Sequence, residues 1–493
     1  MELIKNKIHH FVPIMEKDIV LEQTAEMIVP DSYPDIVKII DASGLACLKE
    51  KELHSDGLRL GGMVKAALLY LPEGEGSLRK IDVNIPFLHT AEGELTGTCV
   101  CTARITAADA RMINPRKVQV SVTLLLEVKV FAPDAIEVSE DVMGECEVLH
   151  STAEAYLLTG ITEKAMVVTE ELEISESRPA AEEILKADVR FISGEMKAIG
   201  AKAVFKGVAC VRLLYSAAGE PYAVEQEFPF SQIMELEGLE EGASLRAFIQ
   251  LAGLEMDFLT GVEARKLGLT LYVDVSLLCY MEKHVETVCD LYSTQLSLTP
   301  EKTPLSLQAL QERIVRRQTL REILEVGEDV ARVIDVTIWP GAITEQEGQA
   351  ACECTAKLVY QTESGQTMGL TRMLRVVSPV ESGTGQLTAE LLGDITATPV
   401  SSGLELRLAM DFECVSLAER RLYSVTGLTQ DDLPDRDPNA PNVILYRCKP
   451  EEGLWDIAKR YGSTRRRLAL CNKLENEEQA PEGQVLLIPR IRG

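Results

Sequence analysis

Period-2 alternation of apolar and polar residues is the dominant pattern of the chain and predicts long antiparallel β-strands. Three such segments are KVQVSVTLLLEVKVF, ending at Phe131, LGLTLYVDVSLLCY, ending at Tyr280, and LELRLAMDFECVSL, ending at Leu417. Alternation of this kind places one face of a strand in a core and the other in water. Short polar segments with glycine, such as PEGEG from Pro72, predict the hairpins that connect neighbouring strands.

The pattern recurs three times along the chain. Tyr70, Tyr215 and Tyr360 each end an alternating segment that is followed by a polar turn, and they lie 145 residues apart each time. Upstream, SYPDIVKII and SRPAAEEIL place Pro34 and Pro179 at the same interval, whereas the third copy opens with ERIVRRQTLREIL and lacks this proline. Two equal intervals with similar flanks indicate a triplication.

We predict a mainly β fold of three tandem antiparallel β-sandwich-like repeats, each with one short helix near its start, followed by a small α+β (βααβ) module. The predicted boundaries are 1–150, 151–300 and 301–428 for the repeats, 429–442 for a linker and 443–493 for the C-terminal module. The linker TQDDLPDRDPNAPN holds three prolines and four aspartates. We therefore expect it to be extended and open to proteases.

Charge distinguishes the C-terminal module from the rest of the chain. The 493 residues hold 50 Lys+Arg and 77 Asp+Glu, a net charge of −27, which disfavours binding to nucleic acid. The segment 443–493 has ten basic and seven acidic residues, so a module of +3 follows a body of −30. We expect the basic module to dock on its own acidic chain or to engage an acidic partner.

Signatures of catalysis and metal binding are missing from the sequence. It contains no CxxC pair, no GxSxG, no HExxH, no phosphate loop and no dinucleotide fingerprint. We predict a protein that is not an enzyme, with no catalytic residue, no metal and no cofactor. Cys99/Cys101 and Cys352/Cys354 share a strand face and are expected to be core residues.

The sequence also predicts where the protein resides. The twelve cysteines follow no disulfide or metal pattern, which suits a reducing compartment. The N-terminus has no apolar signal segment, and no run of about eighteen apolar residues occurs. We expect a cytoplasmic protein without a transmembrane segment.

The C-terminal pattern is a strand, VILYRC, an amphipathic helix, LWDIAKRY, that ends at Gly462, a second helix, STRRRLALCN, and a last strand, VLLIPR. This order resembles the LysM module. The residues that carry the resemblance are Leu454-Trp455, Ile457-Ala458, Tyr461-Gly462, Leu468, Asn472, Pro481-x-Gly483-Gln484 and Leu487-Ile488-Pro489.

The resemblance to LysM implies a ligand site made by the loop before the first helix and by the loop Leu474–Gly483. Glu451-Glu452-Gly453 stand where LysM modules usually have Gly-Asp-Thr. Two adjacent carboxylates favour a protein ligand over a glycan, with an apolar centre from the first helix. The predicted partner-binding residues are Glu451, Glu452, Gly453, Leu454, Ile457, Leu474, Glu475, Pro481 and Glu482.

Two neighbouring features of the module have alternative interpretations. We expect Trp455 to anchor the core of the module rather than to stack on a sugar. The run Arg465–Arg467 is expected to be the exposed face of the second helix, with a patch for an acidic partner as the alternative.

Three β-repeats, a linker and a LysM module together resemble the SipL family of clostridial spore-coat morphogenetic proteins, whose repeats are of the SPOCS type. The resemblance implies a non-enzymatic scaffold at the forespore surface in the mother cell. Its LysM module would bind the coat-basement ATPase SpoIVA, and other coat proteins would be further partners. The alternative is a cell-wall protein whose LysM module binds the N-acetylglucosamine units of peptidoglycan. The pattern leaves self-assembly through the β-repeats open.

Overall fold

The computed structural model describes residues 1–493 apart from 75, 94, 260–263, 381–383, 394, 402, 433–440, 451, 475, 477, 479, 481 and 490–493. This part of the chain holds twenty-one strands and two short helices, which confirms the mainly β prediction. Neither helix is long and apolar enough to cross a membrane.

The first repeat contains β1 (Glu2–Ile28), β2 (Ile36–His54), β3 (Gly57–Pro72), β4 (Arg79–Glu92), β5 (Thr98–Asn114) and β6 (Lys117–Met143). The second contains β7 (Glu147–Glu173), β8 (Glu183–Ile199), β9 (Lys202–Ala217), β10 (Glu220–Glu235), β11 (Ser244–Phe258) and β12 (Lys266–Tyr292). The third contains β13 (Leu296–Glu325), β14 (Val330–Gln346), β15 (Gln349–Thr362), β16 (Thr367–Pro379), β17 (Thr384–Leu391), β18 (Thr396–Val400) and β19 (Gly403–Asp432). The C-terminal module contains β20 (Val443–Arg447), α1 (Leu454–Tyr461), α2 (Arg465–Asn472) and β21 (Val485–Pro489).

Each repeat packs two antiparallel sheets against each other. In the first repeat the sheet β2-β3-β4 faces the strands β1-β6-β5, and one apolar core lies between them. The second repeat uses β8-β9-β10 and β7-β12-β11 in the same way. In the third, β14-β15-β16 faces β13-β19-β17, and the short β18 also pairs with β19.

The three tyrosines occupy equivalent positions, which confirms the triplication. Tyr70, Tyr215 and Tyr360 are buried on the middle strands of the three-stranded sheets. The hydroxyl of Tyr70 donates to the Pro34 carbonyl at 3.4 Å, and that of Tyr215 donates to the Pro179 carbonyl at 3.2 Å. The repeated proline therefore marks the acceptor of a repeated hydrogen bond.

The prediction of a short helix near the start of each repeat is wrong. SYPDIVKII leads into β2, SRPAAEEIL leads into β8, and ERIVRRQTLREIL lies inside β13. In β13 three arginines lie on the face away from the core and pair with carboxylates of β19: Arg313, Arg317 and Arg321, for example Arg317 with Asp411 at 2.9 Å. Cross-strand ion pairs and β-branched residues thus favour strand where local composition suggested helix.

The longest strands continue well beyond the sandwiches. β6, β12 and β19 extend about a dozen residues past Phe131, Tyr280 and Leu417, and each stays paired with the first half of β1, β7 or β13. We call these three paired extensions the stalk: 2–12 with 132–143, 147–158 with 280–292, and 296–309 with 418–432. At about 3.3 Å per residue the stalk is about 40 Å long.

All three ribbons of the stalk share their cores. One apolar cluster joins Val138, Leu157, Val285, Leu307 and Leu422, and a second one lies nearer the tip. The first and second ribbons also touch through the pair Phe11↔Leu158 in one six-stranded sheet. The sequence pattern missed the stalk because each of its strands has only a narrow apolar seam among many charges.

Because of the stalk, the boundaries between consecutive repeats lie at other positions than the sequence predicted. The predicted boundaries at 150 and 300 fall inside β7 and β13, and the connecting turns lie at 144–146 and 293–295. The first four residues of the predicted linker, Thr429–Asp432, pair with Leu296–Thr299 in β13. Most of the remaining linker, residues 433–440, lies outside the described residues.

The three sandwiches meet around a pseudo-threefold axis. One apolar cluster there combines equivalent residues of the three repeats, among them Ile40, Leu185 and Ile334. Next to them Asp41, Lys186 and Asp335 occupy equivalent positions on β2, β8 and β14, and all three are buried. The Lys186 amine lies 3.2 Å from Asp41 and 2.9 Å from Asp335.

Two further cations complete this buried group, which we call the central cluster. The Lys357 amine lies 3.0 Å from Asp41, and the Arg212 guanidinium lies 2.6 Å from Asp335. Burial opposes the charge of Asp335, but Lys186 and Arg212 outweigh it and lower its pKa to about 2. Each repeat thus supplies a charged group that pairs with an opposite charge of another repeat.

Candidate functional site: the C-terminal module and its loops

The C-terminal module has the predicted order of strand, helix, helix and strand. Helix α1 ends at Gly462, whose left-handed backbone (φ 62°) lets its N–H donate to the Ala458 carbonyl. Helix α2 begins after Thr464, whose hydroxyl accepts from the N–H of Arg467 at 3.2 Å. Both helices pack on the inner face of the antiparallel pair β20-β21.

Two residues predicted to contact a partner lie in the core instead. Leu454 and Ile457 are both 0% exposed and pack among the inner residues of β21. Gly453 precedes α1 and its carbonyl accepts from the Ile457 N–H at 3.3 Å. The prediction of an apolar centre from α1 is therefore wrong, because the apolar stripe of the helix is used up in holding this small module together.

Glu452 is a structural residue rather than part of a free acidic rim. Its carboxylate accepts from the Tyr446 hydroxyl at 2.8 Å and from the Arg460 guanidinium at 2.7 Å. The N–H of Lys449 also donates to it, at 3.4 Å. Burial raises the pKa of Glu452, but these hydrogen bonds outweigh burial and hold the pKa below its ordinary value.

The second predicted loop is partly described. Leu474 is half-buried in the module core and Glu482 is exposed. The Leu454 N–H donates to the Glu478 carbonyl at 3.1 Å, so the two loops of the predicted ligand site do lie side by side. Glu451, Glu475 and Pro481 lie outside the described residues.

Trp455 anchors the module to the tip of the stalk. Its ring packs edge-on against Tyr292 with 4.8 Å between centroids, and its indole N–H donates to Asp290 at 2.8 Å. The Asp290 carboxylate also accepts from Lys459 at 2.7 Å and pairs with Lys302 at 3.0 Å. Of the two predicted alternatives for the basic module, docking on its own chain is the one that these contacts show, and Trp455 has no free face for a sugar.

Further contacts strengthen this docking. The Tyr292 hydroxyl donates to the Ser463 carbonyl at 3.0 Å, and the Arg465 guanidinium donates to the Val148 carbonyl at 3.3 Å. Arg465 also lies over the Trp455 ring. The first arginine of the predicted exposed run thus serves the docking, whereas Arg466 and Arg467 are exposed.

The outer face of the module's sheet was missed by the sequence analysis. Its apolar side chains are large and exposed, with Leu445 70% exposed and Leu487 45% exposed across from each other. Val443 and Val485 lie on the same face and are also exposed. The signal was present in VILYR and VLLIP, because both faces of each strand are apolar where a surface strand would alternate.

A large cleft lies where the three repeats meet. It has a volume of about 870 Å³ and is lined by residues of all three repeats. Its carboxylates include Glu127 and Glu413, which are paired with arginines. Burial raises the pKa of Asp188 and Glu390 there, yet its described lining holds no histidine or cysteine. No metal-binding group of His, Cys, Asp and Glu occurs among the described residues.

The fold and the module define a mainly β protein of tandem repeats that carries a C-terminal LysM domain. Residues 446–489 match the family model described as LysM domain, and residues 180–259 match the one described as SipL, SPOCS domain. These matches confirm the predicted resemblance. No significant match was found among curated proteins or among solved structures.

The two matches agree with the structure and indicate the general role of the chain. The SPOCS match spans most of the second repeat, from just before β8 to the end of β11. The LysM match spans the module from Tyr446 in β20 to Pro489 in β21. Together they indicate a sporulation-related protein with a module of the peptidoglycan-binding type, and both families are binding or adaptor domains.

Proposed function

We propose that this protein is a non-enzymatic adaptor of the spore coat whose LysM module binds the coat-basement ATPase SpoIVA. In this role it works in the mother cell and helps to anchor the coat at the forespore surface. Other coat proteins are further partners in this proposal.

The observation that carries the proposal is the combination of a SPOCS match with a LysM module fixed at the tip of a stalk. Asp290 and Tyr292 hold the module in one orientation on the chain's own second repeat. A module docked in this way presents its remaining surface at a fixed distance from the three sandwiches, as an adaptor between two layers requires.

Features of the predicted sugar loop support a protein ligand. The Glu452 carboxylate lies in this loop and accepts hydrogen bonds from Tyr446 and Arg460. The module's exposed apolar residues lie on the sheet rather than in that loop. Large exposed apolar surface on a small domain is typical of protein interaction sites.

Peptidoglycan binding is the second candidate, and the LysM match is the observation that favours it. The two loops that form the sugar site in glycan-binding LysM modules are adjacent here as well, through Leu454 and Glu478. A glycan ligand would occupy these loops and leave the outer sheet face free.

The test is co-purification from sporulating cells with the full chain as bait. The proposal expects SpoIVA among the retained proteins, and expects retention to persist after muramidase treatment. A chain in which Leu445 and Leu487 are both changed to Lys should retain less SpoIVA, because it alters only exposed residues of the outer sheet face. Recovery of peptidoglycan fragments without SpoIVA would replace the proposal with the glycan alternative.

A further inference from the structure

The two outer edges of the module's small sheet differ in whether their main-chain groups are bonded, and the edge of β20 is the unbonded one among the described residues. β20 and β21 form an antiparallel pair, in which alternate residues direct their main-chain groups toward the partner strand. The Cys448 N–H donates to the Gln484 carbonyl at 2.9 Å, which fixes this alternation. Tyr446 and Ile444 therefore face β21, and Val443, Leu445 and Arg447 direct their main-chain groups outward.

The outer edge of β21 is already closed by side chains of the module. The Asn472 amide accepts from the Leu487 N–H at 2.7 Å and donates to the Leu487 carbonyl at 2.8 Å. The Ser463 hydroxyl donates to the Pro489 carbonyl at 2.8 Å. Asn472 thus imitates a neighbouring strand, and this edge has no pairing groups left at those positions.

The outer edge of β20 has no such cover in the described part of the chain. No described side chain or main-chain group bonds to the outward N–H and C=O groups of Leu445 or Arg447. Unpaired edge groups beside apolar side chains form a template for an added strand. The side chains of Leu445 and Val443 stand next to this edge and are exposed.

The charged side chains beside the outer edge of β20 restrict which kind of segment could pair with it. Arg447 lies on the same outer face as Leu445 and is exposed, and Lys449 follows it in the chain and is exposed as well. The ion pairs of the described residues include neither side chain. A segment with carboxylates near one end would complement these cations.

We propose that β20 is a docking edge, to which a partner protein adds an extended segment of alternating apolar and acidic residues as a third strand of the module's sheet. The inference rests on the proposed function, since the segment would belong to the coat-basement ATPase that the module binds. Its apolar side chains would lie beside Leu445 and Val443, and its carboxylates would lie near Arg447 and Lys449.

Two substitutions of one residue separate main-chain pairing from side-chain packing. Leu445→Pro removes the outward N–H and keeps an apolar side chain, whereas Leu445→Ala keeps the N–H and removes most of the side chain. The N–H of Leu445 bonds to nothing within the described module, so neither change breaks the β20-β21 ladder. Unchanged Trp455 fluorescence verifies that the module stays folded and docked.

Affinity is measured with the purified full chain and purified ATPase. We expect Leu445→Pro to weaken binding by at least about tenfold, and by more than Leu445→Ala. Arg447→Glu should also weaken binding and make it less sensitive to salt. If Leu445→Pro binds as tightly as Leu445→Ala or more tightly, main-chain pairing at this edge is refuted, even though the ATPase binds.

A measurement without substitutions covers the case in which Leu445→Pro fails to fold. In the unaltered chain the amide hydrogens of Leu445 and Arg447 should exchange quickly, and those of Ile444 and Tyr446 slowly. Bound ATPase should slow the exchange of the first pair. No gain in protection despite binding overturns the docking edge alone, whereas no binding of ATPase by the unaltered chain overturns the proposed function and this inference together.

Discussion

The Glu452 carboxylate ties together three parts of the LysM module. It receives hydrogen bonds from Tyr446 on β20, from Arg460 on α1 and from the main chain of Lys449 between them. Arg460 also lies near the Tyr446 ring and donates to its hydroxyl at 3.1 Å. This network closes the loop before α1 in one conformation.

Glu452→Lys should therefore destabilise the module rather than only alter its surface. The change places a second cation beside Arg460 and removes the acceptor of the Tyr446 hydroxyl, at a cost of about 1–3 kcal/mol in the free energy of unfolding. Thermal unfolding followed through Trp455 fluorescence measures this loss. Glu482→Lys is the matched control at an exposed position and should change stability by less than about 0.5 kcal/mol. Equal melting temperatures for both variants would contradict the structural role of Glu452.

The Asp290 carboxylate holds the module on the stalk, as the Glu452 carboxylate holds the loop before α1 within the module. Burial opposes its charge, but hydrogen bonds from Lys459, Trp455 and Lys302 outweigh burial and lower its pKa from the ordinary 3.8. A carboxyl group whose pKa is lower in the docked state stabilises docking at pH values above its ordinary pKa. This contribution is lost as the pH falls through the lowered value.

Two treatments should therefore release the module from the stalk. Asp290→Ala should weaken docking by about 1.5–3 kcal/mol, because the bonds it loses are charge-assisted. Acidification below about pH 4 should act in the same direction on the unaltered chain. Hydrogen exchange at the indole of Trp455 reports the release, and Asp456→Ala on the exposed side of α1 is the control. Docking that is indifferent to both treatments would show that Asp290 does not hold the module.

The sequence placed some residues of the module correctly and others not, for identifiable reasons. Trp455 was correctly expected to be buried, although its packing partner Tyr292 is 163 positions away and no local pattern indicates it. Leu454 and Ile457 were assigned to the surface because the family's ligand loop adjoins them. Their helical spacing with Ala458 already indicated a core stripe.

Among the secondary-structure elements, the sequence predicts which segments form strands but not how far those strands extend. The alternation up to Phe131, Tyr280 and Leu417 is strong because these segments face large cores. Beyond them the alternating apolar residues are few, such as Ile136 and Val138 or Leu305 and Leu307, and only the convergence of three ribbons buries them. Short alternating runs among many charged residues do not indicate how far a strand extends.

A close approach between elements explains one glycine. Gly369 on β16 lies so near β2 that a Cβ at this position would overlap the Ile40 carbonyl oxygen. Gly369→Ala should push the third repeat away from the first and destabilise the sandwiches by about 1–3 kcal/mol. Gly268→Ala on β12 is the control, since its Cβ would have its nearest neighbour at 3.3 Å on the flexible Leu259 side chain. Denaturant midpoints of the two variants measure the difference, and similar midpoints would contradict the contact.

At the scale of the whole molecule, the central cluster makes the three repeats interdependent. Asp41, Lys186 and Asp335 hold equivalent positions, so three copies of the first repeat would place three carboxylates together on the axis, and three copies of the second would place three amines there. The first and second repeats therefore need opposite charges from another repeat. We expect this arrangement to specify assembly within one chain rather than between copies.

Lys186→Met tests this dependence. It leaves Asp41 and Asp335 buried without their shared cation, which typically costs about 3–5 kcal/mol. Lys206→Met, which removes an exposed lysine paired with Glu195 at the surface, should cost less than about 1 kcal/mol. Because the pKa of Asp335 is about 2, its contribution in the unaltered chain should be complete above about pH 4 and lost as the pH falls toward 2. Equal losses for the two lysine variants would contradict the central cluster.

The central claim is that the docked LysM module serves as a protein-binding site. The most direct measurement is the affinity of the purified full chain for purified SpoIVA, set beside its sedimentation with insoluble peptidoglycan under the same buffer. The account predicts saturable binding to the ATPase that soluble N-acetylglucosamine oligomers do not compete away, and little sedimentation with peptidoglycan. Tight sedimentation with peptidoglycan, together with no measurable affinity for the ATPase, would contradict it.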